Sequence, residues 1–314
     1  MLELYHLGNS RFCGWITFTQ HLQRAFEAVG METRLHRIVT KPGPCKFSGL
    51  QCHGITLDAA VASPQRKLII GAAKGWWHEA NPLLDAGAHI VMHSPHEVKQ
   101  AEQFPEGRVI TIRRALKVPG ATFIRHPYQP LDLKAARRTR NAVSVARVAR
   151  VKRPDIILAA NRILKPEQRV ELLGFEDRMY THFQLKKLFP EWEAAKDHPR
   201  SSEDSVRAML NARYSVDMTD FGLAGADGGG TQYTFLEAWD AGATLVINKK
   251  WVDDYPDDDM KAGVNCLAVS TPESLAVALR STKSRSDLRE AGRAQLELHD
   301  PKLIGQQYLN ALGM

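Results

Sequence analysis

The stretch DGGGTQYTFLEAWDAGATLV, residues 227–246, decides the fold expected for this chain. Its three consecutive glycines, which begin at Gly228, allow the backbone to approach a ligand closely. Thr231 is predicted to cap a helix with apolar residues at helical spacing, and Gly242 ends that helix before a buried strand. Backbone N–H groups at such a helix N-terminus attract anions, so the stretch predicts a phosphate-binding loop.

On both sides of this stretch, segments of strand length alternate with amphipathic segments of helix length. The predicted strands are residues 2–7, 33–39, 67–72, 88–92, 108–113, 122–125, 142–145, 169–173, 214–218, 243–247 and 266–269. Residues 40–54 are predicted to form a loop, 183–193 a helix, and 286–299 a final helix followed by a last turn or two. The alternation predicts two α/β halves with mostly parallel sheets, which bind ligands at the carboxyl ends of their strands.

The composition is that of a folded protein, because 44% of the 314 residues are hydrophobic and 25% are charged. This length accommodates two domains of about 150 residues each. We expect no membrane span and no signal peptide, since the apolar runs are short and the N-terminus lacks a basic and an apolar region. Four scattered cysteines predict no disulfide framework, so Cys45 and Cys52 are expected to be ordinary thiols in a reducing cytoplasm.

Positive charge is concentrated in the middle of the chain. Residues 108–169 contain 16 Lys/Arg and 3 Asp/Glu, a net charge of +13, in a chain whose formal net charge is +7. Such a basic band favours a polyanionic partner: a pyrophosphate, a nucleic acid or an anionic lipid surface. A solvated basic surface without a partner has the same pattern, so the band alone does not choose between these interpretations.

Motifs in the second half follow a recognisable order: VSVAR (143–147) with Lys152, VELLG (170–174), the stretch from Gly228, and NCLAV (265–269). In this order they resemble the nucleotide-binding domain of GT-B glycosyltransferases, especially retaining family 4 enzymes and phage DNA glycosyltransferases. The first half is similar more loosely, through Gly14 and the segment VMH that ends at His93. The resemblance implies a GT-B fold: two Rossmann-like domains, a central cleft, and a C-terminal helix that crosses back to the first domain.

The resemblance also implies a division into domains and a donor. We expect an acceptor-binding domain at residues 1–132, a nucleotide-sugar-binding domain at 133–285, and a C-terminal helix at 286–314 that packs on the first domain. The donor implied is a nucleotide sugar, with a UDP-sugar favoured. Its binding residues are expected to be Gly14, Arg147, Lys152, Gly174, Asp227, Gly228, Gly229, Gly230, Thr231, Gln232 and Glu237.

The implied reaction breaks a sugar–phosphate bond through an oxocarbenium-like transition state. Arg147 and Lys152 would neutralise the departing diphosphate, because a guanidinium fork and an ammonium together bind its oxygens from two sides. Glu237 would accept hydrogens from both hydroxyls of the ribose. Catalytic residues are expected to be Arg147, Lys152 and His93, the last of which resembles the family's active-site histidine. With these cations, the reaction requires neither a divalent metal nor a tightly bound cofactor.

One position departs from the family pattern. A glutamate usually stands eight residues before the position of Glu237, where this chain has Gly229, and the nearest acid is Asp227. Either Asp227 takes over the contact with the donor sugar or that contact is absent. The identity of the sugar therefore stays open, as does a purely structural role for the strand-end His93.

The acceptor favoured is a hydroxymethylated pyrimidine in phage duplex DNA, which places the reaction in the host cytoplasm. The basic band would bind DNA phosphates, and aromatic side chains would support an extruded base. Contacts with acceptor or DNA are expected from Trp76, Trp77, His96, Arg113, Arg114, Lys117 and Arg125. One alternative is a cell-envelope glycan or lipid acceptor, although the first half contains no evident basic helix with exposed apolar residues. Another is a sugar-nucleotide epimerase or a non-catalytic sugar-nucleotide-binding protein.

Overall fold

The computed structural model describes residues 1–7, 14–47, 50–72, 77–94, 97–98, 104–133, 138–197, 199, 201–220, 223 and 230–314. Within them the chain forms two compact units. Unit 1 comprises Met1–Gln129 together with Leu298–Met314, and unit 2 comprises Pro130–Glu297. Both units are α/β, as the alternation of strands and helices in the sequence predicts.

Unit 1 is built on a sheet whose described strands have the order β3-β4-β2-β1-β5-β6-β7-β8. The strands are β1 Leu2–Leu7, β2 Thr33–Ile38, β3 Gly43–Phe47, β4 Leu50–Ile55, β5 Arg66–Ala72, β6 His89–Met92, β7 Val109–Thr111 and β8 Thr122–Phe123. Neighbouring strands are parallel except in the β3–β4 hairpin. Every residue of β1 is buried, as expected for a central strand of a parallel sheet covered on both faces.

Helices of unit 1 cover this sheet. They are α1 Gly14–Ala28, α2 Leu57–Ala62 and α3 Trp77–Asp85, and the last helix of the chain joins them. The apolar side of α1, with Phe18, Leu22 and Phe26, is buried in the core, as its amphipathic pattern predicts.

Unit 2 contains a sheet whose described strands are all parallel, in the order β10-β9-β11-β12-β13. The strands are β9 Arg140–Val145, β10 Val170–Leu173, β11 Ala212–Asp217, β12 Thr244–Asn248 and β13 Leu267–Val269. The helices are α4 Pro154–Ile163, α5 Ser202–Leu210, α6 Tyr233–Asp240, α7 Lys249–Asp254, α8 Pro272–Arg280 and α9 Ser286–Gln295. The strands and helices enclose a hydrophobic core that includes Ile157, Tyr214 and Val246.

The C-terminal segment is divided between the two units. In unit 2, α9 packs on α6, where a Cβ at Gly292 would be 2.3 Å from the Trp239 ring. After a 3₁₀ turn, α10 (Pro301–Ala311) packs on α1 in unit 1, with the rings of Phe26 and Tyr308 5.8 Å apart. The helix that the sequence predicts at 286–299 therefore ends at Gln295, and the predicted last turn or two is a helix of 11 residues.

The prediction of a loop at residues 40–54 is wrong, because this segment forms the β3–β4 hairpin. Its composition is rich in Gly, Pro and Lys, which strands at the edge of a sheet tolerate. The hairpin pairs Cys45 with Cys52, with Cα atoms 5.2 Å apart, and a disulfide joins them. The expectation of ordinary thiols is therefore also wrong for these two cysteines, whereas Cys266 is a buried thiol.

The helix predicted at residues 183–193 is wrong in position. Helical turns begin after Asp177, whose carboxylate accepts the amides of Met179 and Tyr180, and continue through a π-helical turn at Thr181–Leu185. The segment ends at Leu188. Pro190 ends it there, because the residue before a proline disfavours the helical conformation.

Candidate functional site

Lys152, Asp217 and Gln232 meet at the carboxyl end of the unit 2 sheet. The Lys152 ammonium donates to Gln232 Oε1 at 3.1 Å and lies 3.8 Å from Asp217 Oδ2. Asp217 is the last residue of β11, and Gln232 directly precedes α6. Lys152 ends a 3₁₀ turn at Arg150–Lys152, after β9. Residues far apart in sequence converge here because the carboxyl ends of parallel strands meet at one edge of the sheet.

Arg147 is held in place by backbone pairing that continues beyond the ends of β9 and β10. The amide of Ala146 donates to the carbonyl of Leu173 at 3.1 Å. A Cβ at Gly174 would be 1.8 Å from the Ala146 carbonyl oxygen, so only glycine fits this crossing. The guanidinium of Arg147 is exposed, and it has no hydrogen-bond or ion-pair partner among the described residues. It is therefore available to an anion.

Among the described residues, no side chain caps the N-terminus of α6. The predicted cap, Thr231, is buried, and its hydroxyl donates to Asp259 Oδ2 at 3.4 Å. The capping prediction is therefore wrong: the N-cap residue is Gln232, whose side chain accepts from Lys152 instead. Gly230 precedes them with φ of 133°, a conformation that favours glycine. An uncapped helix N-terminus beside an ammonium group is an environment that suits a phosphate.

Glu237 faces α5 from the second turn of α6. Its side chain is buried, with 3% of the residue exposed, and the Ser202 hydroxyl donates to its Oε1. Burial raises the pKa of Glu237 to about 7; the Ser202 and Ser205 hydroxyls lower it, and Asp240 raises it further. The carboxyl group thus lies among hydroxyl donors, although these belong to the protein.

In unit 1, His93 follows β6 and is fixed by Glu97. Glu97 Oε2 accepts the backbone amides of His93 at 2.7 Å and Ser94 at 2.8 Å, and it lies 3.2 Å from His93 Nδ1. The Trp15 ring packs edge-on against the imidazole, with ring centres 4.1 Å apart. Trp15 stands next to Gly14, the first residue of α1. This arrangement holds the imidazole plane and favours a proton on Nδ1, which leaves Nε2 as an acceptor.

The cationic residues predicted to bind an acceptor differ in exposure. Arg113 is only 8% exposed, and it helps to lower the pKa of His126, for which burial is the main cause. The guanidinium groups of Arg114 and Arg125 lie 4.5 and 5.7 Å from the centre of the Phe123 ring. Lys117 is exposed. Arg113 thus presents little of its side chain to an external phosphate, whereas Arg114 and Arg125 lie beside Phe123 of β8.

The remaining predicted residues are placed as follows. Trp77 begins α3 and is half-buried, with its ring 5.8 Å from that of Phe104. Predictions for Trp76, His96, Asp227, Gly228 and Gly229 lie outside the described residues.

Sequence inspection missed Asp217, Asp259 and Ser202, because their contacts depend on tertiary structure. Of these three, only Asp217 could have been suggested by the sequence, as an acid near the end of a predicted parallel strand.

Among the described residues, no group of three or more His, Cys, Asp and Glu side chains is arranged to hold a metal ion. None of the helices seen there has the length and apolar character needed to cross a membrane.

Solved structures with the same architecture cover the whole chain. HepE from Anabaena, in complex with UDP-glucose, superposes with a TM-score of 0.73 at 14% identity, covering 100% of this chain and 99% of its own. An alpha-glucosyltransferase in complex with UDP-glucose and DNA containing an abasic site gives 0.69 at 12% identity, covering 100% and 99%. The pneumococcal O-GlcNAc transferase GtfA, in complex with UDP and GlcNAc, gives 0.68 at 8% identity, covering 100% and 98%.

No protein-family model and no curated protein matches the chain. The structural neighbours are GT-B glycosyltransferases. The resemblance drawn from the order of motifs is therefore confirmed at the level of fold: this chain has the GT-B fold.

Proposed function

We propose that this protein is a glycosyltransferase that takes a nucleotide sugar, most suitably a UDP-sugar, as its donor. The observation that carries this proposal is the meeting of Lys152 with Gln232 at the uncapped N-terminus of α6, at the carboxyl end of the unit 2 sheet. Exposed Arg147 follows β9 at the same edge of that sheet. Solved neighbours of the same fold are complexes with UDP or UDP-glucose, which agrees with this donor class.

The described residues suit the departure of a nucleoside diphosphate. Lys152 and Arg147 would neutralise the charge that develops on the leaving phosphate, and the first-turn amides of α6 would bind the same oxygens. Glu237 would bind the ribose by exchanging the Ser202 hydroxyl for the ribose hydroxyls, so that one donor replaces another. Lys152, Arg147 and the first-turn amides of α6 would together neutralise the diphosphate in place of a divalent metal ion.

His93 is proposed to contact the donor sugar or the acceptor hydroxyl through Nε2. Glu97 would act as its positioning residue, because it binds both the His93 amide and Nδ1. The geometry supplies no general base, and retention of configuration is proposed from the resemblance to retaining enzymes. Asp227 stays a candidate for the sugar contact that Gly229 cannot make.

Loss of either donor-site cation tests the first part of the proposal. We expect Lys152→Gln and Arg147→Gln each to weaken UDP affinity about 10-fold, since each removes a charge-assisted contact with phosphate. Titration calorimetry with UDP measures this. Arg207→Gln, which alters an exposed arginine on α5 that pairs with Glu203, is the matched control and should bind UDP as wild type does. Unchanged UDP affinity in both donor-site variants would exclude this site.

For the acceptor, we propose a hydroxymethylated pyrimidine in phage duplex DNA. The supporting observations are the two cations Arg114 and Arg125 beside Phe123 of β8, the exposed Lys117 in the preceding segment, and a neighbour of this fold solved with DNA. Such cations would bind the DNA backbone without reading its sequence.

Release of free nucleoside diphosphate from a panel of sugar nucleotides tests the acceptor. We expect release to require hydroxymethylated duplex and to fall as salt rises, and Lys117→Gln with Arg125→Gln to reduce the salt dependence. Release that is indifferent to DNA contradicts this acceptor. Conversion of the sugar without release indicates an epimerase, and binding without turnover indicates a non-catalytic sugar-nucleotide-binding protein.

A glycan or lipid acceptor is a second candidate, favoured by the segment of residues 178–188 in unit 2. Met179, Phe183 and Leu188 are 68%, 51% and 59% exposed. The exposed basic side chains of this segment are Arg178, His182, Lys186 and Lys187. Exposed apolar and basic groups on one short helical segment suit an anionic membrane surface.

Cosedimentation with phosphatidylglycerol vesicles decides whether this segment binds membranes. We expect binding by wild type, loss of binding in Met179→Ser/Phe183→Ser, and no loss in Val277→Ser, which alters an equally exposed apolar residue on α8. Absence of vesicle binding by wild type would remove the support for a lipid acceptor.

A further inference from the structure

A second concentration of positive charge lies in unit 2, away from Lys152. It lines a cavity of about 280 Å³, in which the charged residues are Arg138, Arg213, Lys283, Arg285 and Arg289 and one hydroxyl comes from Ser284. No acidic side chain among the described residues lines this cavity.

The cavity lies at the amino ends of the unit 2 strands. Arg138 stands two residues before β9, Arg213 is the second residue of β11, and Thr244, also in its wall, is the first residue of β12. The Lys152 site lies at the carboxyl ends of the same strands. Since a strand rises about 3.3 Å per residue, the four residues from Arg213 to Asp217 along β11 separate the two sites by roughly 13 Å. The cavity is therefore distinct from the proposed donor site.

Some of these cations are fixed by the fold, and others are left for a ligand. Arg138 donates to the carbonyls of Ala212 and Gly242, so it is part of the scaffold. Its pKa is lowered by burial and by the nearby charges of Arg289 and Arg213. Arg285 Nε is buried without a hydrogen-bond partner, and neither Arg285 nor Arg289 has an ion-pair partner among the described residues.

Converging cations without counter-charges raise the free energy of the folded protein unless an anion joins them. Guanidinium forks, an ammonium and a hydroxyl from Ser284 can together donate to the several oxygens of a tetrahedral, negatively charged phosphate group. We propose that this cavity is a second anion site, which binds a phosphate-bearing ligand. The ligand is a small compound with two or three phosphates, or consecutive phosphates of a nucleic-acid backbone, and both present the same chemistry to the cavity.

Binding of inorganic tripolyphosphate to the full-length protein tests the proposal. The titration is done in saturating UDP, which blocks the proposed donor site. We expect wild type to retain one tripolyphosphate site, and Arg285→Gln/Arg289→Gln to bind at that site at least ~10-fold more weakly. Arg293→Gln is the matched control, because Arg293 lies on α9 with Arg289, outside the cavity, and pairs with Asp132. Its affinity should equal that of wild type.

Two results would overturn the proposal: no UDP-independent site in wild type, or equal affinity in wild type and the double variant. UDP affinity and thermal melting of the double variant show whether it is folded. If UDP does not bind at all, the donor proposal fails. The tripolyphosphate affinities of the double variant and of Arg293→Gln still show whether the cavity binds an anion.

Competition with a short DNA duplex then separates the two sources of phosphate. If the ligand is a nucleic-acid backbone, duplex displaces tripolyphosphate, and the double variant has a salt dependence of DNA binding reduced by about two charges. If it is a free phosphate compound, the duplex does not compete and the double variant binds DNA as wild type does.

Discussion

At the scale of single residues, burial changes what an ionisable side chain does. Glu237 and Glu193 are both glutamates of unit 2, yet only Glu237 is enclosed, between α6 and α5. Enclosure makes its ionisation costly, which raises its pKa to about 7. The same carboxyl group of Glu237 is the one proposed to accept hydrogen bonds from the ribose hydroxyls.

The raised pKa of Glu237 predicts a pH-dependent difference in stability. The folded protein holds this proton from about pH 4.5 to about pH 7, where an unfolded chain has lost it. The contribution of this group to the free energy of unfolding therefore falls as pH rises through that window, by up to about 3 kcal/mol. We expect Glu237→Gln to be more stable than wild type at pH 8 and equally stable near pH 4.5.

Urea denaturation at the two pH values measures this difference. Glu193→Gln, which changes an exposed acid of the same unit, is the control and should follow wild type at both values. A stability difference for Glu237→Gln that is the same at pH 4.5 and pH 8 would contradict the assignment of the raised pKa.

At the scale of elements, the β3–β4 hairpin shows how strand pairing decides cysteine chemistry. Antiparallel register sets Cys45 opposite Cys52, and the hairpin forms the edge of the unit 1 sheet beside β2. A disulfide across a short loop stabilises a fold by about 2 kcal/mol. Disulfides persist in oxidising compartments, so the state of this pair bears directly on the expectation of a cytoplasmic protein.

We expect a reducing agent to lower the melting temperature of wild type and to leave that of Cys45→Ser/Cys52→Ser unchanged. The reason is that only wild type has a cross-link to lose. Differential scanning fluorimetry with and without dithiothreitol measures the effect. The intact mass of protein from its native source shows whether the two cysteines form a disulfide in the cell. Equal melting of wild type under both conditions, together with the mass of free thiols, would mean that the disulfide does not form.

At the scale of the whole molecule, the end of the chain completes the unit with which it begins. Residues Leu298–Met314 belong to unit 1, where Tyr308 of α10 is fully buried near Phe26 of α1. The Tyr308 hydroxyl is buried without a hydrogen-bond partner among the described residues, and burial raises its pKa. Stability of the first unit thus depends on residues about 300 positions away from its first strand.

This arrangement predicts opposite effects for two substitutions of Tyr308. Tyr308→Ala should cost about 3 kcal/mol, because it empties a filled position between α1 and α10. Tyr308→Phe should be neutral or stabilising, because it removes a buried hydroxyl that has no partner while keeping the ring. Denaturant unfolding followed by Trp fluorescence measures both, and a loss of stability in Tyr308→Phe would show that its hydroxyl has a partner.

Much of the architecture could be predicted from local sequence. The apolar run of β1 and the amphipathic pattern of α1 identify these elements because their periods follow from backbone geometry. The hairpin at β3–β4 could not be predicted, because an edge strand with Pro44 lacks the apolar alternation that marks a strand. Likewise, the sequence could not show that Thr231 leaves α6 uncapped, because its hydroxyl instead contacts Asp259, which is remote in sequence.

By itself, the sequence determined the class of fold and the order of most of its elements. These depend on periodicity, glycine positions and motif order, which the sequence states directly. Only the tertiary structure decided that Lys152 meets Asp217, that Glu97 holds His93, and that five cations share one cavity. The physical reason is that hydrogen bonds, desolvation and charge repulsion act through space, between groups that only the folded chain brings within a few ångströms of each other.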